Sequence, residues 1–136
     1  MITYSEFIRI RRAEEESNEL TPLTDSIFEE MKKYIATAKK SLEEAEKINN
    51  QEKISAFSTN IRNAMSTLDS ILNIRLKKIV QYAILGLPLS QKVRDNMMTR
   101  EIEIFDGLNN LIKDFKSRTL SEVKDVKPIE EEQVQD

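Results

Sequence analysis

An all-α fold, a bundle of four main helices, is what this 136-residue sequence predicts. Three observations carry the prediction. Two glycines and three prolines are too few for the many tight turns of a β-rich chain. No stretch alternates apolar and polar residues between turn signals, as a half-buried strand would. Apolar residues instead recur at three- and four-residue steps over long spans, the repeat of one helix face.

The first helix runs from Tyr4 to about Glu16, with Tyr4, Phe7, Ile8 and Arg11 along one side. Ser17, Asn18 and the Leu20-Thr21-Pro22 turn end it. A second helix starts near Asp25 or Ser26, where Ser26 and Glu29 have capping-box spacing. Its inward stripe is Ile27, Phe28, Met31, Tyr34, Ile35, Ala38, Leu42 and Ala45, and Asn49-Asn50 marks its end. The third helix spans about Gln51 to Leu85 and is long and central, roughly 50 Å at 1.5 Å per residue. It carries two apolar rows. Ile54, Phe57, Ile61, Ala64, Leu68 and Ile71 form one; Met65, Leu68, Leu72, Leu76, Ile79 and Ala83 diverge to form the other. Two rows imply two sets of neighbours. Gly86 and Pro88 stop the helix, because glycine takes the left-handed cap and proline cannot continue it. Ser90 caps a fourth helix to about Arg118, with Val93, Met97, Ile104, Leu108, Leu111, Ile112 and Phe115 inward and Met97, Met98 and Phe105 as core. Gly107 inside it either permits close packing or weakens the helix. From Thr119 the periodicity dissolves, Pro128 argues against helix, and residues 119–136 read as a flexible acidic tail.

Charge and composition narrow the chemistry. The net charge of -3 is divided unevenly. Between Ser121 and Asp136, six acids face Lys124 and Lys127, a balance of -4 that leaves the body at +1. A dedicated nucleic-acid binder would concentrate positive charge instead. With no cysteine and no histidine, thiolate chemistry, imidazole bases and histidine metal sites are excluded. Glu14, Glu15 and Glu16 are consecutive and spread around their helix, and Glu43, Glu44 and Glu46 lie on a polar face; all six read as solvated surface. No glycine-rich phosphate loop is present. No catalytic residue, metal or cofactor is therefore expected, and the chain reads as a non-enzyme. No run approaches a membrane span and the N-terminal residues do not form a signal peptide, so the expected location is the cytoplasm.

Two groups of residues stand out as contact candidates. Arg9, Arg11 and Arg12 form a small basic patch whose alternatives are a phosphate or acidic partner and pairing with Glu14 to Glu16. Arg75, Lys77 and Lys78 extend the basic set on the third helix. Arg75 falls where the first apolar row would continue, so it either snorkels or enters a buried arginine–carboxylate pair across helices. The second group is the apolar flank Leu72, Leu76, Ile79, Ala83, Ile84 and Leu87, which is expected at or beside a subunit contact.

The order of the pieces also resembles a known family. A first helix reading FIRIRRAEEESNEL is followed by IFEEMKKYI, then NIRNAMSTLDSILNIRLKKIVQYA, then a helix start at Leu89-Ser90. This is similar to the helical A-domain of the GINS family, of the archaeal subunit type in which that domain comes first. The closest features are Ser17 to Leu20 and the Arg75 to Ile79 element, within a likeness covering about Tyr4 to Phe115. The resemblance implies a GINS-like domain over residues 1–118 and a linker or tail over 119–136. It also implies a replication scaffold without activity of its own, near the nucleoid. Its partners would be GINS subunits in a homo- or hetero-tetramer, the MCM helicase and a RecJ-like protein. Members of this type usually carry a small β-domain after an acidic linker. The sequence stops at Asp136 without one, as a piece of a longer chain or a form lacking that module would. The competing readings are a helical module that binds DNA or RNA through Arg9, Arg11, Arg12, Lys77 and Lys78, and a generic oligomeric adaptor.

Overall fold

The computed structural model describes residues 2–130, and the last six residues of the acidic tail lie outside them. The fold is all-α: among the described residues there are five helices and no strand, with α1 at Tyr4–Glu16, α2 at Asp25–Lys47, α3 at Gln51–Leu85, α4 at Gln91–Asp95 and α5 at Thr99–Lys124.

α3 is the axis against which α1, α2 and α5 pack. α2 and α3 form an antiparallel hairpin through a tight turn. Asn49 takes the left-handed conformation there (φ 58°), and the side chain of Asn50 caps α3 by accepting from the Lys53 amide at 3.1 Å. α1 lies along the middle of α3 and runs in the same sense, from a 3.1 Å hydrogen bond between the Tyr4 and Thr67 hydroxyls to contacts of Glu14 with Arg75 and Lys78. α5 starts beside Arg75 and reaches the end of α3 where Lys116 donates to the Ile84 carbonyl at 3.4 Å. Its last eight residues extend past that contact, and all of them are exposed.

Two apolar clusters follow from this arrangement. One joins Phe7 and Ile10 of α1 with Met31 of α2, Ala64, Leu68 and Ile71 of α3, and Leu23 and Met98. The other joins Ile79 and Ala83 of α3 with Leu20, Leu89, Val93, Met97 and Phe105. Phe7 also meets Tyr34 ring to ring at 5.2 Å, tilted by 53°.

Several local expectations are corrected. The buried side of α1 is Phe7, Ile10 and Glu14, rotated from the expected Tyr4-Phe7-Ile8-Arg11 side, because Ile10 and Glu14 follow Phe7 at three and seven residues. α2 is capped by Thr24, whose hydroxyl accepts from the Ile27 amide at 3.3 Å, and not by Ser26. The helix expected from Ser90 to Arg118 is two helices. Ser90 does cap the first, accepting from Val93 at 3.2 Å. The chain then breaks at Asn96, whose carbonyl is taken by the Leu23 amide at 3.0 Å and by Arg75 at 2.9 Å while its side chain donates to Leu20 at 3.0 Å. A carbonyl held from the side cannot serve the helix ladder. α5 then continues through Arg118 to Lys124. Of its expected inward residues, Ile104, Leu111 and Phe115 are exposed, whereas Phe105 is core.

The α3 stop follows the expected mechanism. Gly86 is left-handed (φ 67°), its amide donates to Ala83 at 3.2 Å, and the Leu87 amide donates to Tyr82 at 3.0 Å, which is a Schellman closure. Gly107 has no such role. It is exposed inside α5, and an added Cβ would meet nothing within 4 Å. Gly107→Ala is expected to stabilise the fold by about 1 kcal/mol through helix propensity alone, read as a higher urea midpoint with an unchanged slope.

Candidate functional site: an apolar flank beside a buried charge cluster

The six flank residues divide into two kinds. Leu72, Leu76, Ile84 and Leu87 keep 36%, 43%, 51% and 45% of their surface exposed. Ile79 and Ala83 do not belong with them. Both are buried in the cluster with Leu20, Leu89 and Phe105, so the chain's own α5 and the segment before α4 already cover that row. What remains is an open row in which half-buried Val80 fills the gap between Leu76 and Ile84, at helical steps of four. The exposed Ile104, Leu111 and Phe115 give α5 a second open row.

The six basic residues do not form one surface. Arg9 pairs with Glu6 at 2.9 Å and Arg11 with Glu15 at 3.4 Å, both within α1, while Arg12 and Lys77 are exposed. Arg75 is wholly buried, so it cannot be a partner contact. Its setting is the second of the two readings, a buried arginine–carboxylate pair across helices. Nε and Nη2 make a forked pair with the two oxygens of Glu101 at 2.8 and 2.7 Å. Nη1 donates to Glu14 Oε1 at 2.7 Å and to the Thr21 carbonyl, and Nη2 also donates to the Asn96 carbonyl at 2.9 Å. All five guanidinium N–H groups are thereby used.

Glu14 corrects the expectation of a solvated surface acid. It is wholly buried. Its four acceptor positions take Arg75, the Thr21 hydroxyl at 2.7 Å, the Thr21 amide at 3.3 Å and Lys78. Lys78 completes the cluster, donating also to the carbonyls of Glu14 at 2.7 Å and Glu19 at 2.9 Å. The Glu101 carboxylate accepts from the Met98 amide at 2.9 Å, which satisfies an orphan donor at the start of α5. Two cations and two anions balance, and no buried side-chain polar atom among the described residues lacks a partner.

Electrostatics follow from this geometry. Burial pushes the Glu14 carboxyl up, but hydrogen bonds from Lys78 and Thr21 and the Arg75 charge outweigh it and hold the group below the ordinary carboxylate value. Burial likewise opposes the charge on Arg75, and the hydrogen bonds and charges of Glu101 and Glu14 raise its pKa in spite of it. Asp25, the first residue of α2, is held low by hydrogen bonds from the hydroxyl and amide of Thr99 at the start of α5. The cluster ties α1, the Leu20–Leu23 segment, α3 and the α4–α5 junction together. With each donor and acceptor engaged inside the protein, it has the character of a structural joint.

One feature escaped the sequence reading altogether. Arg100 and Lys32 flank the ring of Phe28, at 4.8 and 5.9 Å from its centre, beside a groove between α2 and α3. The signal available in sequence was Lys32 and Lys39, seven residues apart and so on one helix face, bracketing Ile35. Arg100 could not be linked to them without the tertiary fold.

Among the described residues no helix is long and apolar enough to cross a membrane. Neither a scan of protein-family models nor a search of curated proteins finds a match for the chain.

Proposed function

We propose that this chain is a non-catalytic assembly subunit, a GINS-like helical scaffold that packs against further subunits of similar build. In this reading it acts within a replication complex with the MCM helicase and a RecJ-like protein. The observation that carries the assembly role is the open row Leu72, Leu76, Val80, Ile84 and Leu87, running some four turns along α3 and into its cap, which the chain itself covers only in part. A soluble protein gains by covering a continuous apolar strip, and the occupant that matches a straight helical strip is another helix. The narrower, replicative identity is supported by the ordered resemblance over about Tyr4 to Phe115. The competing nucleic-acid reading loses Lys78, which the buried cluster engages, and keeps only Lys77 and the α1 arginines.

Light scattering on the native protein, alone and mixed with a candidate second subunit, tests the proposal. The expected native mass is a multiple of the 15.8 kDa chain. Leu72→Asp with Leu76→Asp is expected to lower that mass while leaving the helical circular dichroism intact, because both side chains are already partly solvated. A wild-type monomer at micromolar concentration, alone and with a partner, would overturn the assembly role. A failed pull-down of MCM by an otherwise oligomeric protein would overturn only the replicative identity.

A further inference from the structure

The groove between α2 and α3 has a volume of about 440 Å³, an apolar floor of Phe28, Ile35, Met65 and Leu68, and Lys32, Lys39 and Arg100 at its rim. Met65 is half exposed there, although it sits one turn from the core residue Leu68. Glu29 pairs with Lys32 at 3.1 Å, and Asp25, Glu29 and Glu103 lie with Arg100 on the neighbouring side of Phe28. Lys39 makes no ion pair among the described residues. The floor suits one or two aliphatic side chains, and the rim suits carboxylates set immediately beside them.

The chain contains a segment of that chemistry. Val126 and Ile129 are 67% and 69% exposed after the end of α5, and Glu130, Glu131 and Glu132 follow directly in sequence. It cannot serve its own groove. α5 carries the chain about 36 Å from Arg100 to Lys124, whereas the eight residues from Lys124 to Glu132 reach back at most about 28 Å. A second molecule has no such restriction. We propose that the α2–α3 groove is a docking site for an acidic, aliphatic peptide segment, and that its occupant is the Val126–Glu132 segment of a second copy of this chain. The contact shares no residue with the α3 flank of the assembly proposal, since the groove takes Met65 and Leu68 from α3 and the flank begins one turn later at Leu72.

The test is fluorescence anisotropy of a labelled synthetic peptide, Lys124 to Asp136, titrated with the full chain at low salt. Saturable binding is expected, with affinity falling as salt is raised. Lys39→Glu together with Arg100→Glu is expected to weaken it at least tenfold. Ala36→Trp, which fills the groove and leaves the charges alone, is expected to weaken it as much. A peptide carrying Ile129→Asp is expected to bind at least tenfold more weakly despite its added negative charge. Equal or tighter binding of that peptide would show charge attraction without docking and overturn the proposal. So would binding insensitive to both groove variants, or no saturation up to about 1 mM. Leu76→Asp is expected to leave the peptide affinity unchanged, so failure of the groove and failure of the assembly face are separately visible.

Discussion

Arg75→Ala is expected to destabilise the fold by about 3–5 kcal/mol, the range found when one member of a buried ion pair is removed. The loss arises from what is left behind more than from what is taken away. Glu14 and Glu101 would remain buried with their shares of the guanidinium gone, and the Thr21 and Asn96 carbonyls would each lose a donor. A loss of that size is a large fraction of the roughly 5–15 kcal/mol that holds a domain folded. Arg75→Lys is expected to fall between the wild type and Arg75→Ala, since an ammonium has three donors where five are used and cannot fork across Glu101. Urea denaturation of Arg75→Ala, Glu101→Ala and the double variant checks the origin of the effect. The double variant is expected to cost clearly less than the two single losses added, because the partner left stranded in each single variant is gone. Strict additivity would mean that the two residues act independently.

Glu14→Gln gives the second large effect, about 3 kcal/mol, and ties it to pH. The amide would turn an NH2 group toward either Arg75 and the Thr21 hydroxyl or Lys78 and the Thr21 amide, setting donor against donor in both orientations. The sign of the pH dependence follows from the lowered carboxyl. Its folded pKa lies below the unfolded value of 4.5, so its contribution is fully present above pH 4.5 and is lost as the pH falls through the folded pKa. The wild-type advantage over Glu14→Gln is therefore expected to be constant near neutrality and to shrink on acidification below pH 4.5. Asp25, also lowered, adds to the acid sensitivity of both proteins and cancels in the comparison. Equal losses across the whole range would sever Glu14 from acid stability.

The physical scale of each signal decides how much of this was legible in the sequence. α1, α2 and α3 were readable to within a residue or two at their ends, because caps and long apolar repeats are local. The Gly86 stop is readable for the same reason. The break at Asn96 was not, since neither glycine nor proline marks it and its cause is a set of hydrogen bonds to Leu20, Leu23 and Arg75, remote in the chain. Glu14 was misplaced on similar grounds. Three consecutive glutamates point about 100° apart, so they cover more than half of the helix and each faces a different surrounding. Choosing which of them is buried requires the docking angle of α1, which no local pattern contains. Arg75 was detectable as a cation in an apolar row, but its partners come from two other stretches of chain. Ile79 and Ala83 look identical to Leu72 and Leu76 in the repeat, and only the path of α5 separates the covered from the uncovered.

The saturation of Arg75 has a consequence for how the chain chooses among its possible packings. Aliphatic helix faces are forgiving, and sliding α1 along α3 by one turn would still bring grease to grease. The same slide would carry Glu14 about 5 Å from the guanidinium, leaving a buried carboxylate without its cations and Arg75 with Glu101 as its one remaining carboxylate. Rival registers are thus penalised by several kcal/mol at a single point, while the native one alone closes every bond. A side chain that contributes little net cohesion by being buried can in this way act as a key, admitting one topology and turning its neighbours away.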